Sequence, residues 1–79
     1  MSKNIYHGFY DLMDKYAVGI SEYQYDIVEK CIDYMNNCKE VKKWMYDISD
    51  YPDVTGGIVS FAWVTVDNQL GQILFDYVY

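Results

Sequence analysis

The sequence predicts an α+β fold of about three helices followed by a C-terminal antiparallel β-hairpin, with the helices packed on one face of a small sheet. Three observations carry this expectation. Ser21–Asn37 (SEYQYDIVEKCIDYMNN) repeats Tyr23, Ile27, Val28, Cys31, Ile32, Tyr34 and Met35 at three- and four-residue spacing, the period of an amphipathic helix. Ile58–Val66 (IVSFAWVTV) is β-branched and aromatic, and too short for the helix its apolarity would otherwise allow. Between them, Asp50–Gly57 (DYPDVTGG) holds the single proline and a Gly-Gly pair, a loop that divides helical from extended texture.

The elements follow in order. Over residues 4–17, Ile5, Phe9, Leu12, Met13 and Tyr16 share one helical face, with His7, Asp11, Asp14 and Lys15 on the other. Asn4 is placed to cap this first helix and Gly19 to end it. Gly8 weakens it by about 1 kcal/mol, and Ile5–Tyr10 also alternates well enough to form a strand. The second helix starts from a capping box, Ser21 with Gln24, and stops at Asn36-Asn37. A third helix is expected over about Lys39–Ser49, capped by Asn37 with Glu40 at the third position and with Val41, Trp44, Met45 and Ile48 inward. Its first turn carries Lys39, Lys42 and Lys43, the wrong sign for a helix N-terminus.

After the loop, Asp67-Asn68 reads as a turn and Leu70–Tyr79 as a returning strand. Val59, Phe61, Trp63 and Thr65 share one face of the outgoing strand, with Ser60, Ala62 and Val64 on the other. Ile73, Phe75, Tyr77 and Tyr79 share a face of the return strand. Both faces of the hairpin are therefore apolar. One takes the helices and the other needs a cover. An isolated hairpin is marginal in water, so the expectation is a third strand from the N-terminal segment or a homodimer paired through the sheet.

At 79 residues the chain is read as one domain, residues 1–79. Its 10 Tyr, 3 Phe and 2 Trp supply the bulk of a small core. Ten tyrosines exceed what such a core needs, and exposed tyrosine is a typical protein-contact residue. Twelve acidic residues against six lysines give a net charge of −6. That balance repels nucleic acid and anionic membrane and favours a basic partner, although it also serves solubility. MSKNIYHG lacks the apolar region of a signal peptide and Ile58–Val66 is too short to span a bilayer, so a cytoplasmic protein is expected. Cys31 and Cys38 on one helix would lie about 10 Å apart, too far for a disulfide. Free thiols are expected.

Chemical machinery is not evident. The C-x6-C spacing with a distant lone His7 matches no usual zinc pattern. His7 and Asp11 stand four apart, but nothing marks a nucleophile or an oxyanion hole. Thr55-Gly56-Gly57 is too short to cradle a phosphate. Lys39, Lys42 and Lys43 beside Trp44 form a small basic–aromatic patch, outweighed by twelve acids. The expectation is a non-enzyme with no catalytic residues, cofactor or metal and no direct nucleic-acid binding.

One feature hints at a task. Glu22, Asp26, Glu29 and Asp33, spaced 4, 3 and 4, fall within roughly 60° of arc on a continuous helix. Their charges recur about every 5 Å, a dilute copy of a DNA strand with its charge about every 3.4 Å. Asp11, Asp14, Asp47, Asp50 and Asp53 would extend the stripe if they project to the same side. The competing account is plain: an amphipathic helix must turn polar residues outward.

In size, acidity and tyrosine content the chain resembles the small inhibitors that phages make against host defences, the anti-CRISPR and anti-restriction proteins, some of which mimic DNA. The resemblance implies a stoichiometric inhibitor in the host cytoplasm that occupies the nucleic-acid channel, or a subunit interface, of a defence nuclease. The expected partner-binding residues are Glu22, Asp26, Glu29 and Asp33 with Tyr25, facing a basic surface of a protein or ribonucleoprotein complex. The alternative is a non-catalytic structural or regulatory interaction module that assembles through its C-terminal hairpin, using Phe75, Tyr77 and Tyr79.

Overall fold

Two helices and a four-stranded mixed sheet make up the computed structural model of the chain, which describes residues 2–20 and 22–79, with side chains from residue 5 onward. The first helix, α1, spans Ser2–Tyr16 and buries Ile5, Phe9 and Met13, each one turn beyond the last. The helical alternative therefore holds for this segment. Asn4 lies inside α1, not at its cap. The chain then turns, with the Val18 N–H donating to the Glu22 carbonyl (3.0 Å), into a short strand β1, Glu22–Gln24.

Helix α2 (Asp26–Asn36) follows, then strands β2 (Val41–Asp50), β3 (Gly56–Thr65) and β4 (Leu70–Val78). The sheet order is β1-β4-β3-β2, with β1 parallel to β4 and the other pairs antiparallel. The expected β3–β4 hairpin is present and its faces are as read. Val59, Phe61, Trp63 and Thr65 are buried on the helix side, joined across the ladder by Phe75 and Tyr77. The hairpin closes as a three-residue loop, with the Thr65 N–H on the Gln69 carbonyl (2.8 Å) and the Asn68 N–H on the Thr65 carbonyl (2.9 Å). Asn68 takes the left-handed conformation (φ 66°) that such a loop requires at its third position.

Two expectations need correction. The predicted third helix, Lys39–Ser49, is strand β2. Trp44, Tyr46 and Ile48 alternate onto the helix side of the sheet opposite Trp63, Phe61 and Val59. A helix would have spread these three over different faces and put three lysines at its positive end. As a strand, the same residues complete an aromatic ladder, with Trp44 and Tyr46 stacked 6.0 Å apart and Tyr46 5.8 Å from Phe61. The second correction concerns the start of α2. Residues 22–24 are extended, because Tyr23 pairs with Tyr77 and sets its ring edge-on to Phe75 at 5.4 Å. The helix begins at Asp26, and its N-cap Tyr25 makes no side-chain capping bond. Ser21 of the predicted capping box lies outside the described residues. The predicted stop holds: the Asn37 side-chain amide donates to the Asp33 carbonyl (2.8 Å).

The extra strands thus come from segments on either side of α2, and the N-terminal segment covers the sheet as a helix. Phe9 is the centre of that cover, 5.5 Å from Phe61 and 5.4 Å from Trp63. Ile27, Val28, Cys31 and Met35 of α2 complete the core. Both cysteines are free thiols, and burial pushes the Cys31 thiol up to about 12.

Candidate partner-binding site

The buried stripe of α2 fixes what the helix shows to solvent. With Ile27, Val28, Cys31 and Met35 against the sheet, Asp26, Glu29 and Asp33 stand exposed on the opposite side. Positions three and four apart on a helix adjoin, so these three carboxylates form one ridge within about 60° of arc. Glu22 does not continue it. That residue is exposed on β1, in register with Asp76 of β4. The predicted four-carboxylate stripe is therefore three acids on a helix and a fourth on the sheet.

Tyr25 joins the two. Its ring is half-buried at the head of α2, stacked on Tyr79 at 5.2 Å and edge-on to Tyr77 at 5.3 Å. Both of those phenols donate to Asp50 Oδ1, Tyr79 at 3.0 Å and Tyr77 more closely. The Tyr77 phenol is held well above its ordinary range, first by burial and then by the Asp50 bond. Tyr79 is raised chiefly by the bond to Asp50. Nearby on the sheet, Tyr51 Oη donates to Asp76 Oδ1 (2.7 Å), which raises Tyr51 in turn. Around the start of α2 the acids are thus framed by ordered tyrosines.

At its other end the ridge meets mixed charge. Asp33 borders a shallow hollow shared with Asp11, Lys15 and Lys30. Tyr34 closes this hollow, donating through Oη to the Ile5 carbonyl (3.0 Å), and burial followed by its Cys38 neighbour pushes its phenol up to about 12. The remaining acids do not assemble on one side. Asp47 projects from the sheet face opposite Tyr46, Asp50 is engaged by the two phenols, and Asp53 lies in the β2–β3 loop.

A second surface is the hairpin face that the sequence left in need of a cover; the share of it that β2 supplies was not legible in the sequence as read. Among the described residues, nothing packs over the sheet face away from the helices. Met45, Leu70 and Leu74 on it are 68%, 81% and 60% exposed. A groove of about 720 Å³ crosses this end of the sheet, lined by Met45, Ala62, Val64 and Leu70 with Tyr6 at its margin. The signal was the two-residue alternation Lys43, Met45, Asp47, Ser49 against Trp44, Tyr46, Ile48. Of the hairpin residues expected to mediate assembly, Phe75 and Tyr77 are buried beneath the helices, and only Tyr79 is exposed.

No family model, curated protein or solved structure matches the chain. Its own surfaces are what can be read for function. Among the described residues, no group of three or more His, Cys, Asp or Glu is arranged to hold a metal ion, and no helix is long and apolar enough to cross a membrane.

Proposed function

We propose that the chain is a small acidic protein-binding inhibitor of the anti-CRISPR or anti-restriction type, acting stoichiometrically by occupying a basic nucleic-acid-binding surface. The partner is a protein or ribonucleoprotein complex such as a defence nuclease. The supporting observation is the exposed α2 ridge of Asp26, Glu29 and Asp33, rooted in a helix whose other side is wholly buried. Arginines and lysines that bind a phosphate backbone pair with such carboxylates, and the charge balance of −6 steers the encounter. Tyr25, next to Asp26, supplies an aromatic anchor where the ridge begins, with Glu22 beside it on β1.

The test is capture by the tagged chain from a bacterial lysate containing active CRISPR and restriction systems, at low and high salt. The wild type is expected to recover a nuclease complex at low salt only. The Asp26→Lys, Glu29→Lys, Asp33→Lys variant is expected to recover none. Equal recovery by both proteins at both salts would remove this mechanism. A second reading, a structural or regulatory interaction module, is favoured by a different observation: the uncovered sheet face with Met45, Leu70 and Leu74 exposed.

A further inference from the structure

The two edges of the sheet are treated differently. At one, β1 pairs with the end of β4, and Tyr6 of α1 reaches further along, its Oη accepting the Gln72 N–H at 3.2 Å. At the other, β2 is the outermost strand, 10 residues long and without proline. The Tyr51 N–H donates to the Gly56 carbonyl (2.9 Å), so residues 43, 45, 47 and 49 turn their backbone groups toward β3. Lys42, Trp44, Tyr46, Ile48 and Asp50 turn theirs outward, away from the rest of the sheet.

Long bare edges are normally blunted by charge, most often lysine of one sign. Of the four charges on β2, Lys42, Lys43, Asp47 and Asp50, the pair Lys43 and Asp47 differs in sign and sits symmetrically about Met45. Lys43 and Asp47 share the uncovered face, two residues to either side of Met45. Trp44 and Tyr46 share the helix face, one residue to either side. Such a strand is complementary to itself run backwards.

We propose that two copies of the chain pair antiparallel through β2, about a two-fold axis at Met45, to form a continuous eight-stranded sheet. In this register Trp44 of each copy lies opposite Tyr46 of the other in a hydrogen-bonded pair, and the outward backbone groups meet. Lys43 of each copy lies opposite Asp47 of the other in a non-hydrogen-bonded pair, where side chains are closest. From Lys43 to Asp47 the alternation of inward and outward backbone groups fits this register, and the register shift of β2 against β3 between Val41 and Lys43 lies at the ends of the seam, outside those pairs. The charge of −6 on each copy opposes self-association in general. The two Lys43–Asp47 pairs cancel charge locally along the seam. The inference is independent of the α2 ridge, which lies on another element.

The test is sedimentation of the full chain from micromolar to submillimolar concentration. The wild type is expected to reach twice its 9.4 kDa mass. Lys43→Asp alone and Asp47→Lys alone each set like charges opposite one another twice per dimer, raising the dissociation constant about 30-fold or more. The double exchange, Lys43→Asp with Asp47→Lys, restores the dimer. Both side chains are exposed, so circular dichroism of each variant should match the wild type. Oxidised Met45→Cys is expected to cross-link to itself, since opposed Cα atoms there lie about 4.5 Å apart, whereas Leu74→Cys is not. A monomer at every concentration would overturn the proposal. So would a dimer indifferent to the single exchanges, or cross-linking at position 74 alone, which would seat the second copy on the uncovered face.

Discussion

Gly8 illustrates how a single residue serves packing against its own element. Glycine inside a helix costs about 1 kcal/mol relative to alanine, yet a Cβ here would lie 2.3 Å from the Tyr34 ring. That ring crosses α1 at Gly8, donates to the Ile5 carbonyl and stands edge-on to Phe9 at 5.2 Å. Gly8→Ala therefore displaces a half-buried tyrosine and its hydrogen bond. Overpacking of this kind costs about 1–3 kcal/mol against the gain in propensity, and the thermal midpoint is expected to fall by roughly 5 °C. A midpoint raised by the substitution would show that the ring moves aside freely. Titration supplies a second prediction. Burial raises Cys31 from 9.0 to about 12, and burial with its Cys38 neighbour raises Tyr34 from 10.0 to about 12. Each group is neutral when protonated, so the unfolded chain loses its protons first. Stability is fully present below about pH 9 and falls as pH rises toward 12. Urea midpoints measured across that range should decline, and less steeply in Cys31→Ala than in the wild type.

Helix α2 and strand β2 show what element-level patterns settle. In α2 the four-residue recurrence of buried side chains fixes the acidic ridge by exclusion, so its carboxylates contribute little to folding. The ridge variant Asp26→Lys, Glu29→Lys, Asp33→Lys replaces both acids of the first turn, Asp26 and Glu29, where each suits the helix dipole, at a cost of about 0.3–1 kcal/mol apiece. Lysine toward the other end is favourable by a similar amount. The net change in thermal midpoint is expected to stay within about 8 °C, and a larger loss would make the ridge structural. In β2 the lysines that are wrong for a helix start are ordinary at a sheet edge, and Trp, Tyr and Ile at alternate positions are typical of a strand. The misreading arose because Val41, Trp44, Met45 and Ile48 also fit a helical period. Over ten residues both periods match, and only pairing with β3 decides between them.

For the whole molecule, the layer arrangement leaves one side of the sheet without helices. The described chain measures 40 × 23 × 17 Å, a slab with aromatic packing beneath the helices and Met45, Leu70 and Leu74 bare above. Association through β2 ties stability to concentration, because only the folded strand presents the edge. The thermal midpoint of the wild type is thus expected to rise with protein concentration. That of Lys43→Asp is expected to stay constant. A constant midpoint for both would place the folded state in the monomer.

The sequence by itself determined the α+β class, the C-terminal hairpin with its two sets of side chains and the body of α2, while it left residues 4–17 open between helix and strand. These follow from local periodicity and turn chemistry, which residues a few positions apart impose on one another. Tyr23, Trp44 and Tyr46 were decided by tertiary structure alone. Each is extended because it pairs with Tyr77, Trp63 or Phe61 of the hairpin, beyond the reach of a helical or strand period, and no short window contains both members of such a pair. The candidate site divides in the same way. Asp26, Glu29 and Asp33 are a helical pattern and could be read directly, whereas the removal of Glu22 to the sheet, the tyrosine frame around Asp50 and the open edge of β2 depend on which strands become neighbours.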